Sequence, residues 1–518
     1  MFHMAVSDFL VRRPRRFRAV QVVLPLEPAP VGQRDLFDDD YIRIRRFMTG
    51  NRRRSLSGTG LFEVRSIDHI PAEERHGKVW HQGPFWFTGN FVLTTMVTGF
   101  IGPAMGLGLS WSVLALVLGA CFGTFFMAFH ANQGPRMGLP QMIQSRAQFG
   151  VRGAVVPFAA VTFVYIGFNV FNVVLATQGL RLLLPGGREL WYVLLIGVSI
   201  ILAVVGHDLL HLVQRWLTYV LIAMFGILTV GALVNLDTPE AGVADGLSWT
   251  SFLAVFSVAA GYQISYAVYV SDYSRYLPAN VPAVKVISWT YLGAAGSAVW
   301  LMSLGALIAS WMPAPDAITS LQEVGNGIAP GFGTAVVLVS SLALITVMAV
   351  NAYGAMLTTT SAIDSFRPVR PSVRSRVVGI VSVELVVFVV ALVLPDDYLG
   401  SFNNFLLLML YFLVPWTAVN LVDFYLVRRG EYSVSAIFDP RGMYGRWSWR
   451  GLLSFAVGFG TMVPFFATSF FTGPGAEALG GADVSFAVGL VVSGSLYFGL
   501  SRGLVAQAAP AAGATSAG

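Results

Sequence analysis

The chain has 518 residues, 55% of them hydrophobic and only 12% charged, with 33 Lys and Arg against 27 Asp and Glu. Ordinary soluble domains carry about 25% charged residues, so a mean hydropathy of +0.67 excludes a soluble globular domain and points to an integral membrane protein. The formal charge of +6 requires no nucleic-acid partner, because the basic residues sit at the ends of apolar runs, where orientation in a bilayer is reason enough for them.

Residues 1–83 are polar and rich in Arg (RRPRRFR, RIRR, NRRR), with an acidic FDDDY between. They hold too few apolar residues for a core and read as a mostly disordered basic cytoplasmic tail. No apolar stretch follows the first arginines closely, which argues against a signal peptide, and Met48 is an equally plausible first residue. A transporter domain over 84–502 follows. It contains twelve apolar segments, each near the length that crosses a ~30 Å hydrocarbon core: 85–107, 110–130, 154–179, 190–206, 211–234, 250–268, 285–311, 333–357, 376–394, 401–427, 451–471 and 484–501. The lone Cys121 lies in segment 2 and can form no intrachain disulfide. Residues 503–518, ending QAAPAAGATSAG, read as a flexible tail.

Lys and Arg resist translocation and collect on the cytoplasmic side. With the N-terminus inside, the inner loops hold Arg136, Arg146 and Arg152; Arg215; Arg275 and Lys285; Arg367, Arg370, Arg374 and Arg376; and Arg428, Arg429, Arg441, Arg446 and Arg450. The outer loops hold only Arg181 and Arg188, and four of them are acidic (Asp237, Glu240, Asp245; Asp316, Glu323; Asp396, Asp397; Glu477, Asp483). Twelve spans with both termini cytoplasmic is the topology this predicts, in a plasma (cell inner) membrane.

Two segments carry interruptions. Segment 1 reads FWFTGNFVLTTMVTGFIGPAMGLG, broken at Thr98-Gly99 and Gly102-Pro103; segment 6 reads FLAVFSVAAGYQISYAVYVSDYSRYLP, with Gly261 followed by Tyr262, Gln263 and Ser265. The two are five segments apart. A repeat of five helices re-enters the membrane inverted, and matched breaks in its first helices mark a midplane binding site, since freed backbone groups cannot face lipid. The alternative is that the glycines only let helices approach closely.

Segments 3 and 8 are partners in the same repeat. Segment 3 carries YIGFNVFN, in which Phe168 and Asn172 are four apart on one face; segment 8 puts Asn351 and Tyr353 near its middle; segment 1 adds Asn90, Thr94 and Thr95. An amide presents a donor and an acceptor side by side, which suits the edge of a heterocycle, and aromatic faces stack on its ring. These four segments contain no charged residue at membrane depth, so a neutral planar solute is favoured. Amides in membrane helices also serve as interhelical hydrogen-bond glue, the plainer reading for Asn90 and Asn169.

Together RSIDHIPAEERHGKVWHQGPFWFTGN, GLPQMIQSRAQFG, YIGFNVFN, SDYSRYLP and YFLVPWTAVNLVDFYLVRRGEY resemble the nucleobase-cation symporter family, in its purine-cytosine permease branch, over about residues 65–500. The resemblance implies an all-α integral membrane transporter with a five-plus-five inverted repeat of LeuT type, importing nucleobases with H⁺ or Na⁺. It also implies substrate contacts at Phe168, Asn172, Tyr262, Gln263 and near Asn351. Many relatives have Trp at Phe168 and an aromatic at Gln263. Sodium-coupled relatives place Ser or Thr hydroxyls on helix 8 against the helix 1 break, where this chain has Ala349 and Val350. Hard Na⁺ wants oxygen ligands, so H⁺ is favoured over Na⁺.

His207 and His211 have a metal-ligand spacing, but no general-base Glu follows the first, and interfacial caps beside Arg215 are preferred. Glu384 is the one acidic residue well inside a segment, a candidate for coupling or for an interhelical hydrogen bond. Asp272 with Arg275, and Asp423 with Arg428 and Arg429, read as structural ion pairs at inner helix ends. No GxSxG, Walker or HExxH pattern stands in an orienting context, so no enzyme, metal or cofactor is expected, and nothing sets an oligomeric state. The function expected is a symporter for cytosine or purines. A hydantoin, allantoin or thiamine-type permease is the alternative within the family, and a non-transporting ligand sensor the alternative outside it.

Overall fold

The computed structural model describes residues 68–508 except 206, 236–245, 313–315, 368, 370, 371 and 396. Most of the expected N-terminal tail, residues 509–518, Arg370 and the outer-loop acids Asp237, Glu240, Asp245 and Asp396 lie outside the described residues, as do the side chains of His207, His211 and Arg215.

The described residues are helical apart from turns and one isolated antiparallel bridge, Ala467 with Thr472. Long runs of Leu, Val, Ala, Ile and Phe form helices because lipid offers no partner for a backbone N–H or C=O, and a helix satisfies both internally. Nine described helices are long and apolar enough to cross a membrane, and they fall on segments 2, 3, 5–10 and 12. The remaining three expected spans are short or composite. Segment 1 consists of Gln82–Gly89, Leu93–Thr98 and Ile101–Ala104, and segment 4 is the 18-residue helix Arg188–Val205. Segment 11 is helical only over Trp449–Met462 and tightens into a 3₁₀ turn, Val463–Phe465. There Pro464 supplies no N–H, and the chain goes extended at Phe466 instead of continuing to 471.

The loop after segment 7, expected on the outer side, holds a 12-residue amphipathic helix, Ala317–Ile328. Its N-cap is Asp316, whose Oδ1 accepts from the N–H groups of Ile318 (2.9 Å) and Thr319 (3.0 Å).

Both first helices of the repeat are broken: segment 1 is interrupted at Gly99-Phe100, as the sequence predicts, and also further back, whereas segment 6 breaks beyond its glycine. In segment 1 the helix stops at Gly89 and resumes at Leu93, with Val92 extended (φ −136°, ψ 158°). In segment 6 it runs through Gly261 to Ile264, tightens to 3₁₀ over Ser265–Val268 and breaks at Tyr269 (φ −138°, ψ 8°). Gly99 and Gly261 are small for packing. A Cβ on Gly99 would fall 1.9 Å from the Met302 carbonyl of segment 7, and one on Gly261 would fall 2.7 Å from that of Leu406 on segment 10. Pro103 lies within the four-residue helix Ile101–Ala104, whose first turn makes no demand on its missing N–H.

Segments 3 and 8 pack along their length, segment 2 lies against both 6 and 7, and segments 10, 11 and 12 pack on one another. The Leu93–Thr98 helix of segment 1 touches both segments 3 and 8, and segment 10 packs on segment 6 and on segment 3.

Candidate substrate site

The break in segment 1 is held by its own polar side chains. Asn90 Nδ2 donates to the Ala294 carbonyl of segment 7 (3.0 Å), and Thr95 Oγ1 donates back across the break to the Asn90 carbonyl (2.7 Å). The turn so fixed aims Thr94 at segment 3 and Thr95 at segment 6. Thr94 Oγ1 donates to Asn172 Oδ1 (2.6 Å), and Thr95 Oγ1 lies 2.7 Å from the Tyr262 hydroxyl. Since the single Thr95 proton serves Asn90, Tyr262 is the donor of that pair. The Phe168 ring meets Tyr262 edge-to-face at 5.5 Å and 85°, with Phe405 on another side at 5.4 Å and 90°. Thr94, Thr95, Phe168, Asn172 and Tyr262 therefore form one cluster. Its hydrogen-bonding members are buried, with Asn172 2% and Tyr262 1% exposed, while Phe168 is half-buried.

Two expected contacts stand apart from it. Gln263 is fully buried and turned to segment 7, where its Nε2 donates to the same Ala294 carbonyl as Asn90 (3.2 Å), and its Oε1 has no partner. One residue of helix is a rotation of about 100°, enough to carry Gln263 off the face that Tyr262 presents to Phe168. Asn351 is half-buried, one turn before Gly354, against which Tyr165 packs so closely that a Cβ would lie 2.7 Å from its ring. At i and i+3 the two positions lie on one side of segment 8. Tyr353 instead packs in a side cluster of Ala352, Met356 and Ile380 with residues of segment 4.

Asn90 and Asn169 both bridge helices, the second donating to the Met348 carbonyl of segment 8 (3.0 Å) and to Glu384 Oε1 (3.1 Å). Glu384 of segment 9 thus touches segment 3 directly. It also accepts from Ser199 Oγ of segment 4 at 2.9 Å.

The sequence reading missed an aromatic column that continues from Tyr262 through Tyr266 (5.9 Å) to Tyr269 (5.7 Å further). Tyr269 stacks on Tyr165 (5.7 Å, 20°) and on Trp86 (6.2 Å, 29°). The signal was present in YQISYAVYVSDY: Tyr262, Tyr266, Tyr269 and Tyr273 recur at helical spacing.

At the end of segment 10, Asp423 forms the expected ion pair with Arg428 (3.2 Å) and also accepts from Gln148, Tyr432 and Tyr497, each at 2.8 Å. Asp272 Oδ1 accepts from the Gln141 N–H at 2.7 Å, and Arg275 Nε donates to the Asp272 carbonyl at 3.2 Å.

The cluster offers hydroxyl and amide groups that both donate and accept, two ring faces and no charge, a constellation for an uncharged flat solute. The profile of a family described as permease for cytosine/purines, uracil, thiamine, allantoin matches residues 69–489. This chain belongs to that permease family. The permease YxlA of Bacillus subtilis, provisionally named for purines and cytosine, is 40% identical over 444 residues, 85% of this chain and 96% of its own. The purine-cytosine permease fcyB of Emericella nidulans is 24% identical over 457 residues, 84% of this chain and 87% of its own. Among solved structures, Mhp1, a nucleobase-cation-symport-1 family transporter closed around bromovinylhydantoin, superposes with a TM-score of 0.67 at 18% identity. That match covers 86% of this chain and 97% of Mhp1. The permease is thus a multi-pass membrane transporter of nucleobase-type compounds, not an enzyme, and its fold is the inverted-repeat type.

Proposed function

We propose that this permease is a proton-coupled symporter that imports a neutral nucleobase, cytosine or a purine, into the cell across the plasma membrane, with both termini cytoplasmic. The observation that carries the reading is the Thr94–Asn172 hydrogen bond beside the Phe168–Tyr262 ring pair. A base entering the cluster takes over Asn172 as its edge partner, frees Thr94, and lays its face against the rings. Exchange of one hydrogen bond for another keeps the Asn172 amide satisfied, with Thr94 free to turn its hydroxyl to a backbone carbonyl, while the flat ring replaces ring-on-ring contact with ring-on-base contact. Breaks at Asn90–Val92 and Tyr269 flank the cluster, where rocking of one helix group against another would open it to each side in turn.

Coupling has a physical necessity. A neutral solute gains nothing from the membrane potential, whereas a co-transported charge gains ~2.3 kcal/mol per 100 mV. Protons are favoured over Na⁺ because Ala349 and Val350 offer no side-chain oxygen to a hard cation. A hydantoin is the second reading, favoured by the likeness to Mhp1 with its bound bromovinylhydantoin and by a site whose amide-and-ring chemistry suits either ring. The test is uptake of labelled cytosine and hypoxanthine in cells lacking their own permeases, with unlabelled adenine, uracil, allantoin and hydantoin as competitors. Accumulation that collapses with a protonophore and ignores Na⁺ replacement supports the proposal. Accumulation that requires Na⁺ ends the proton assignment, and saturable binding without accumulation makes the protein a sensor.

A further inference from the structure

Glu384 lies in the middle of Val373–Val393 and is completely buried. Ser199 Oγ of segment 4 and Asn169 Nδ2 of segment 3 both donate to its Oε1, at 2.9 and 3.1 Å, whereas Oε2 has no partner and neither has Asn169 Oδ1. Native interiors rarely leave such oxygens unsatisfied, and those that remain call for an explanation. Segment 9 packs against segments 3, 4 and 8, and the charged and titratable groups those elements bring are distant or neutral. Arg181 on segment 3 is twelve residues from Asn169, roughly 18 Å along the helix. Arg188 and Glu189 begin segment 4, ten residues or more from Ser199, roughly 15 Å. Asp364 ends segment 8, sixteen residues from Met348, and Arg374 and Arg376 begin segment 9, eight residues or more before Glu384, roughly 12 Å. Tyr165, Tyr192 and Tyr353 are phenols. A carboxylate here has no counter-ion within the described residues.

We propose that Glu384 Oε2 is the binding site of the co-transported proton, and that Asn169 ties that proton to the substrate cluster. The proposal rests on the symporter reading above. Loading joins one proton to Oε2 and cancels the carboxylate charge; release reverses it, and no other bond is made or broken. The tie is geometric. Of the two N–H groups of Asn169, one goes to Glu384 and the other to the Met348 carbonyl. Asn169 is three residues before Asn172, and Met348 three before Asn351, so one amide joins the proton site to both helices that face the substrate. An ionised oxygen is the stronger acceptor. Protonation loosens the hold of Glu384 on Asn169 and leaves the amide to the segment 3–8 seam, while deprotonation draws it toward segment 9. A fixed pairing between proton and base follows, because the seam that closes on the base is set by the state of Glu384.

The experiment uses full-length protein in liposomes containing a pH-sensitive dye, supplied with whichever base the competition panel ranks first. Wild type acidifies the lumen on adding the base. For Glu384→Gln the proton signal falls to that of protein-free liposomes, while exchange of labelled for unlabelled base, which needs no net proton movement, continues. Glu384→Asp, which keeps a carboxyl, retains proton uptake. Asn169→Ala, which keeps Glu384, lowers the protons moved per base at least twofold and gives a reading even if Glu384→Gln does not fold. Base-driven acidification that persists in Glu384→Gln, or an unchanged ratio in Asn169→Ala, overturns the assignment. Wild type that moves base without protons overturns the proton-symport reading itself, a distinct result.

Discussion

Replacing Asn172 by Ala removes the amide that accepts from Thr94 at 2.6 Å in a site only 2% exposed. In the unliganded protein the loss is small, because Thr94 can turn its hydroxyl to a backbone carbonyl, as Thr98 already does with that of Thr94 (3.0 Å). With a base in the cluster the edge of the ring loses its partner where water has no access, and a buried polar group left unpaired costs ~1–3 kcal/mol. That is roughly a 5- to 150-fold rise in the half-saturating concentration. Uptake of labelled base is measured over a concentration series in Asn172→Ala, Thr94→Val and the double variant, with surface expression determined in parallel. Since Asn172 and Thr94 are partners, the two effects are not additive, and the cycle returns an interaction term of about 0.5–3 kcal/mol. Half-saturation within twofold of wild type in Asn172→Ala, at normal expression, refutes its placement against the substrate.

Three further outcomes follow from the same geometry. Phe168→Ala, which removes a ring packed against Tyr262 and Phe405, weakens base binding by roughly 1–3 kcal/mol through lost stacking, whereas Phe168→Trp keeps it; equal uptake in all three proteins contradicts the ring's role. Gly99→Ala sets a methyl 1.9 Å from the Met302 carbonyl, where neither backbone can yield, and lowers thermal stability in detergent by the ~1–3 kcal/mol of an overpacked contact; an unchanged melting temperature sinks it. Asp423→Ala strips four donors of their acceptor and leaves the half-buried Arg428 without its carboxylate, at about 3–5 kcal/mol for the network, which is read as lost folded protein on size-exclusion chromatography; a monodisperse variant at wild-type yield speaks against that network.

Much of the fold was legible because lipid imposes a plain rule: a segment must be apolar and helical to cross, so hydropathy located the continuous helices within a few residues. The rule weakens where a helix is held by something other than its own hydrogen bonds. The interruption of segment 1 at Gly99 is legible in the sequence, but the second break at Asn90–Val92 is not, because Asn90 and Thr95 hold it with hydrogen bonds that no helix propensity encodes. Likewise Gly261 looked like a hinge and is a packing site against Leu406. The Ala317–Ile328 helix was hidden because its acids were read as an outer loop, although Asp316 is an N-cap.

At the site, spacing on one helix face placed Phe168 and Asn172 correctly relative to each other. Their partners, Thr94 and Tyr262, were named from the broken helices, and the structure puts all four in one cluster. Gln263 shows the limit: adjacency in sequence to Tyr262 implied a shared site, while helical rotation sends the two side chains to different neighbours. Of the tyrosine column only Tyr262 was singled out in the sequence, although the spacing of all its members is helical.

The most direct test is an experimental structure with the best-ranked base bound. The account predicts the base at mid-depth with its face on Phe168 or Tyr262, its edge hydrogen-bonded to the Asn172 amide, and Thr94 released from that residue. A base found elsewhere, with the Thr94–Asn172 hydrogen bond intact, contradicts it.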